Sequence, residues 1–222
     1  MRQVTVPVPG QANRDRWLRA SGGQRPPARH ARSGAPGSQV AAPAGRRPPR
    51  PTRPAAPQIV IAGAHGGAGV STLAALLRLE FDGVPPGHAP QIGEMPPVPD
   101  ADPERIAAAG WLPTPPPGTV LIIAARGTAE GARRAVIAVT ALERRAIRPA
   151  ALAVVADGAG PEPRQAVQRF GLIGGRCGPL VRVPFAAALR AGTAPESARL
   201  PRRLLNATYA LAVLVAAGPG RE

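Results

Sequence analysis

Ile59-Val60-Ile61-Ala62-Gly63-Ala64-His65-Gly66-Gly67-Ala68-Gly69-Val70-Ser71-Thr72 is the stretch that decides the fold. Apolar residues run into a glycine-rich turn, Ser71 and Thr72 follow, and Leu73-Ala74-Ala75-Leu76-Leu77 continues as a helix. Strand, glycine loop and helix in direct succession are the layout of a loop that holds phosphate. Glycines let consecutive amide N–H groups converge on one concavity, and the helix N-terminus adds positive dipole. The candidate contacts are His65, Gly66, Gly67, Ala68, Gly69, Val70, Ser71 and Thr72, and the Ser71 hydroxyl is the candidate metal ligand. Such a loop ordinarily carries a lysine that reaches the outer phosphates. Val70 stands there instead.

No other lysine can replace it. All 28 basic residues of the 222-residue chain are arginine. The net charge of +15 is unevenly spread. Residues 1–57 carry eleven arginines against one acid, Asp15, whereas 58–222 carry seventeen against twelve. The first 57 residues are rich in Pro, Gly, Ser and Ala and show no hydrophobic period, so they predict a disordered basic tail. A short helix over Asn13 to Ala20, with Trp17 and Leu18, would form only against a partner. A basic arm attracts DNA, anionic lipid or an acidic protein through charge alone; a passive solvated tail fits as well.

Cys177 is the single cysteine, which excludes a disulfide framework within the chain and fits a reducing cytoplasm. Beside Gly178-Pro179 it reads as an inert small residue rather than a nucleophile. No signal peptide is expected, because the run from Val4 to Pro9 is short and broken by proline. Leu204 to Ala217 falls short of the roughly 20 apolar residues of a membrane span, so it predicts a packed helix and no integral membrane segment.

Downstream of the loop the pattern alternates. Residues 58–64 predict a strand and 70–80 a helix. Residues 81–118 hold eleven prolines and predict a Pro-rich loop with one short helix, capped by Asp102 and opened by Pro103. Trp111 and Leu112 are expected to fold back onto the core. Thr119 to Ala125 predicts a buried strand. Thr128 then caps a helix to Arg145, with Val136, Val139, Thr140 and Leu142 inward and Arg133, Arg134, Arg144 and Arg145 solvated. Ala150 to Ala156 predicts a third strand, and Glu162 to Phe170 a helix with Ala166, Val167 and Phe170 inward. Leu180 to Val183 predicts a fourth strand, Ala186 to Ala191 a short helix, Gly192 to Pro201 a linker, and 202–217 a final helix. Apolar strands alternating with helices imply a three-layer α/β fold with a mainly parallel sheet.

The string from His65 to Thr72 resembles the deviant phosphate loop of the MinD/ParA family of ATPases, Lys-Gly-Gly-x-Gly-Lys-Thr/Ser-Thr. The later Thr128-Ala129-Glu130 helix start and the Val183-Pro184-Phe185 step resemble that family too. The likeness covers residues 58–192, leaving 1–57 as tail and 193–222 as linker and C-terminal helix. It implies a P-loop NTPase-like fold, ATP and Mg²⁺ as cofactors, and Ser71 as the hydroxyl on Mg²⁺. The departures are equally specific. His65 and Val70 replace both family lysines. The section carrying the family's catalytic aspartate and Asp-x-Pro-Pro-Gly switch is shortened to 81–118, where Thr114-Pro115-Pro116-Pro117-Gly118 looks like a relic with no acid before it. The strand 119–125 ends in Arg126 rather than a carboxylate, and Asp157 stands where the family often has an adenine-contacting Asn. His65 is either a phosphate contact or a residue that packs the turn.

Phosphoryl transfer relies on neutralising charge on the phosphoryl oxygens, and each lost stabiliser costs about 10²–10³ in rate. No catalytic residue is therefore assigned, and the leading expectation is a cytoplasmic pseudo-ATPase acting as a scaffold or regulatory protein. A narrower similarity, to lysine-less MinD-type proteins of actinobacterial mobile elements, implies a link to conjugative DNA transfer or partitioning. Two alternatives stay open. One is a weak ATPase that dimerises on nucleotide and takes its cation from a partner chain. The other is a nucleic-acid-binding protein acting through residues 1–57.

Overall fold

A computed structural model of the chain describes residues 58–85, 87–111, 115–116 and 118–217. The expectations for 1–57, for Leu112 and for Thr114 and Pro117 lie outside the described residues.

Among the described residues, five strands and six α-helices follow one another, alternating up to the last two helices: β1 (Gln58–Gly63), α1 (Val70–Glu80), β2 (Gln91–Met95), α2 (Pro103–Ala108), β3 (Thr119–Arg126), α3 (Ala129–Glu143), β4 (Ala151–Val155), α4 (Arg164–Ile173), β5 (Leu180–Val183), α5 (Ala187–Arg190) and α6 (Arg202–Ala217). The sheet is wholly parallel, in the order β2-β1-β3-β4-β5. From β1 the chain moves outward to β2, then crosses back over β1 to β3 and continues the other way. Right-handed crossovers put helices from opposite directions of travel on opposite faces. Accordingly α1 lies on one face with α6, packed on Ile59, Ile61, Val120 and Ile122. Helices α2, α3 and α4 cover the other, where Leu121, Ile123, Leu152 and Phe170 meet.

The α/β architecture and parallel sheet follow the sequence pattern. Asp102 accepts from the Arg105 N–H at 2.8 Å and caps α2, Thr128 accepts from the Gly131 N–H at 2.9 Å and caps α3, and Trp111 packs on the α3 side of the sheet. Cys177 is 2% exposed and donates to the Ile173 carbonyl; burial pushes its thiol up from the ordinary value.

Three expectations need correction. Gln91 to Met95 is a strand, not loop: it pairs with β1 from Gln58↔Gln91 to Ala62↔Met95. Lying at the edge, it needs apolar contact on one side only, so Gly93 and Glu94 are tolerated between flanking prolines. Arg134 is buried at 5% exposure rather than solvated. Its guanidinium donates to the carbonyls of Val98 and Pro99, both at 2.8 Å, and pairs with Asp100. Val167 is 43% exposed, because Ala166, Phe170 and Ile173 form the inward stripe of α4.

Among the described residues, no helix is long and apolar enough to cross a membrane. Helix α6 buries Leu204, Ala207, Thr208, Leu211, Ala212 and Val215, as expected of a packed helix.

Candidate functional site

In an open parallel sheet, ligands settle beyond the carboxyl ends of the strands, where neighbouring strands send their chains in opposite directions. Here that point lies between β1 and β3. The residues gathered there are the glycine loop leaving β1 and Arg126 closing β3.

The loop is tied to the sheet on both sides. Ala64 N–H donates to Ala124 O, and Val98 N–H to Gly63 O, both at 2.8 Å. Ala64 and Ala68 are buried, while Gly66 and Gly67 are exposed. Gly69 sits just before α1 with φ 88°, a left-handed conformation, and a side chain there would meet Val155 at 3.4 Å. The left-handed backbone angle is what calls for glycine here, the Val155 contact being an ordinary one. Having no side chain, Gly69 makes no cap bond, and the first turn of α1 holds no acid. The amides of Val70, Ser71 and Thr72 therefore have no acceptor from the cap residue and keep the positive helix end open.

His65 packs the turn. Nδ1 lies 2.7 Å from Gly66 O, and Nε2 accepts from the Arg126 N–H at 3.3 Å. An imidazole carrying its proton on Nδ1 satisfies both. The side chain of Val70 packs among the apolar residues between α1 and the sheet.

Ser71 has a partner that the sequence expectations left out. Its hydroxyl donates to Glu94 Oε2 at 2.7 Å. Glu94 also receives the Arg78 guanidinium at 3.3 Å, and Arg78 donates to the Ile92 carbonyl at 3.1 Å. Strand β2 delivers the Glu94 carboxylate beside the first turn of α1. Glu94 is followed at two and three positions by Pro96-Pro97, an acid-x-Pro-Pro wording. That spacing is the sequence signal that marks Glu94.

On the other side of the loop, Arg126 Nε donates to the Gly67 carbonyl at 2.6 Å, and Nη1 pairs with Asp157. Arg190 Nη1 lies 3.9 Å from the same Asp157 oxygen. Between them opens a cavity of about 200 Å³, lined by Gly67, Gly69, Thr72, Arg126, Phe185 and Arg190 among others. Of the sequence candidates, Gly67, Gly69 and Thr72 thus face the cavity, Ser71 faces Glu94, and His65, Ala68 and Val70 support the loop from behind. Chemically the set offers an anion-binding end with arginine close by, and two oxygen donors, Ser71 Oγ and the Glu94 carboxylate, of the kind a hard divalent cation takes.

No protein-family model matches the chain, and no curated protein matches its sequence.

Proposed function

We propose that this chain is a lysine-less MinD/ParA-like domain that binds a nucleoside polyphosphate with Mg²⁺ and serves as a scaffold or regulatory module rather than as an efficient ATPase. The observation that carries this is the Ser71–Glu94 pair at 2.7 Å beside the glycine cradle. It supplies a hydroxyl and a carboxylate where a phosphate-bound Mg²⁺ would need oxygen ligands. The open amides of the α1 N-terminus fit phosphate oxygens, so the residues present suit both groups. A bound Mg²⁺ would screen phosphate charge, whereas the chain's own residues would orient the ligand through Ser71, Thr72 and the loop amides.

Two features support binding without efficient turnover. Val70 offers no cation at the outer phosphates, a lack worth about 10²–10³ in rate. The segment after Glu94 is also pinned rather than free to switch. Arg134 holds Val98, Pro99 and Asp100, the Val98 N–H is bonded to Gly63, and the Trp111 indole donates to Pro96 O at 3.2 Å.

Calorimetric titration of the full chain with Mg²⁺-ATP tests this. Binding without phosphate release is expected. Absence of binding at millimolar ATP sinks the nucleotide half, and turnover that Ser71→Ala abolishes sinks the scaffold half. The retained Ser71–Glu94 pair also favours a second reading, a weak ATPase completed by a second copy of the chain. Nucleotide-dependent dimerisation in light scattering, coupled to phosphate release, would select it. The link to conjugative DNA transfer or partitioning rests on the narrower resemblance, and DNA contact through residues 1–57 on the arginine excess of that segment. It predicts DNA affinity that falls steeply with salt and is lost with the tail.

A further inference from the structure

The loop lacks its own cation, yet the fold carries one to it. Side chains alternate along β3, and Arg126 continues the Val120, Ile122, Ala124 series that faces α1. Its guanidinium reaches back across the loop to Gly67 O at 2.6 Å, and one of its nitrogens lies 3.7 Å from where a Gly67 Cβ would stand. The Asp157 carboxylate pairs with this guanidinium, and Arg190 approaches the same oxygen at 3.9 Å. The rim therefore holds two guanidinium groups against one carboxylate. The cavity that Arg126 bridges, about 200 Å³, is smaller than the roughly 300–1,000 Å³ of ordinary ligand pockets. A nucleotide larger than the cavity must displace part of its lining, which includes Arg126.

We propose that Arg126 and Asp157 form a charge latch over the glycine loop, and that Arg126, once released from Asp157, meets the phosphates of a bound ligand. In the ligand-free chain, Asp157 and the Gly67 carbonyl hold the guanidinium. An entering polyphosphate takes the guanidinium from Asp157, because several anionic oxygens in fork geometry outcompete one half-exposed carboxylate. Binding is then weakened by the fraction of molecules in which the latch is closed. This inference rests on the nucleotide reading above and adds to it the residue that meets the phosphates and the one that restrains it.

The test is calorimetry on the full chain with ATP and, as an uncharged control, adenosine. Asp157→Asn is expected to tighten ATP binding about fivefold relative to adenosine binding, the worth of a half-exposed ion pair; the ratio cancels any contact that the new amide makes with adenine. Arg126→Gln is expected to weaken ATP binding at least tenfold. The double variant should bind no better than Arg126→Gln alone. Asp157 is 44% exposed, so melting temperatures near wild type are expected, and Asp157→Ala serves as a second probe of the same carboxylate. If wild type binds ATP but both Asp157 variants bind it equally well or less well, the latch is overturned and the nucleotide reading survives. If neither wild type nor the Asp157 variants bind ATP, both fall. Binding by the Asp157 variants alone supports the latch.

Discussion

The Ser71 hydroxyl lies 2.7 Å from Glu94 Oε2 and joins the first turn of α1 to the edge strand β2. Residues 23 positions apart meet because β2 returns beside β1, in register from Gln58↔Gln91. Glu94→Gln keeps a hydrogen-bond acceptor for Ser71 but removes the charge. The lost pairing with Arg78, whose side chain is 51% exposed, costs at most about 1 kcal/mol of stability. The larger effect is expected on metal linkage. In wild type, ATP should bind more tightly with Mg²⁺ than without it, and in Glu94→Gln that ratio should fall toward one. A Mg²⁺ effect of wild-type size in the variant would remove Glu94 from the site.

Arg134 and Asp100 show why burial, not the presence of an ion pair, decides energy. Arg134 has a side chain 6% exposed, whereas Asp100 is 87% exposed. Asp100→Asn leaves a group that water solvates, and should cost less than about 1 kcal/mol. Arg134→Met removes the donors to Val98 O and Pro99 O and should cost about 3 kcal/mol. Urea unfolding of the two variants distinguishes them, and equal losses would contradict this assignment.

The layers of the fold were legible because buried parallel strands read as unbroken apolar runs. Ile59 to Ala62, Val120 to Ala125 and Ala151 to Val155 announce themselves, but β2 does not. An edge strand with one solvated side tolerates Gly93 and Glu94 and sits between prolines, so composition alone gave it to the loop. Glu94 was lost with it. Arg134 is hidden among the four arginines on and just after α3, although it lies four residues before Ala138 and eight before Leu142, on the buried stripe. Arg126 could not be placed from local pattern at all. Its role depends on β1 and β3 lying side by side, a tertiary fact.

Gly131 illustrates the same dependence. In the first turn of α3 a glycine costs about 1 kcal/mol relative to alanine, so Gly131→Ala would ordinarily stabilise. Here the added methyl would stand 2.2 Å from the Arg126 carbonyl oxygen. Either α3 or the end of β3 must shift, at an overpacking cost of about 1–3 kcal/mol. The variant is expected to melt below wild type and to weaken ATP binding, since the displaced backbone carries Arg126. A rise in melting temperature would show that the contact is loose.

Glu143 ties the end of α3 to Arg176, which follows α4. Arg176 Nε donates to Oε1 at 2.8 Å, and Nη2 donates to Thr140 Oγ1 at 2.8 Å. The hydrogen-bonded Arg176 guanidinium holds the Glu143 carboxyl below its ordinary value of 4.5, with burial opposing it. Glu130 beside Arg133 is lowered in the same way. Asp102 is lowered first by the Arg105 amide that it caps. A carboxyl depressed in the folded state binds its proton more readily when unfolded. Its contribution is therefore fully present above the unfolded value and lost as pH falls through the folded one. Through these groups, stability should be level from pH 7 to about 5 and decline progressively below about 4.5. Glu143→Gln removes one of them, so its urea midpoint should start lower at pH 7 and fall less steeply between pH 5 and 3. An unchanged acid slope in Glu143→Gln would mean that the Arg176 contact does not persist in solution.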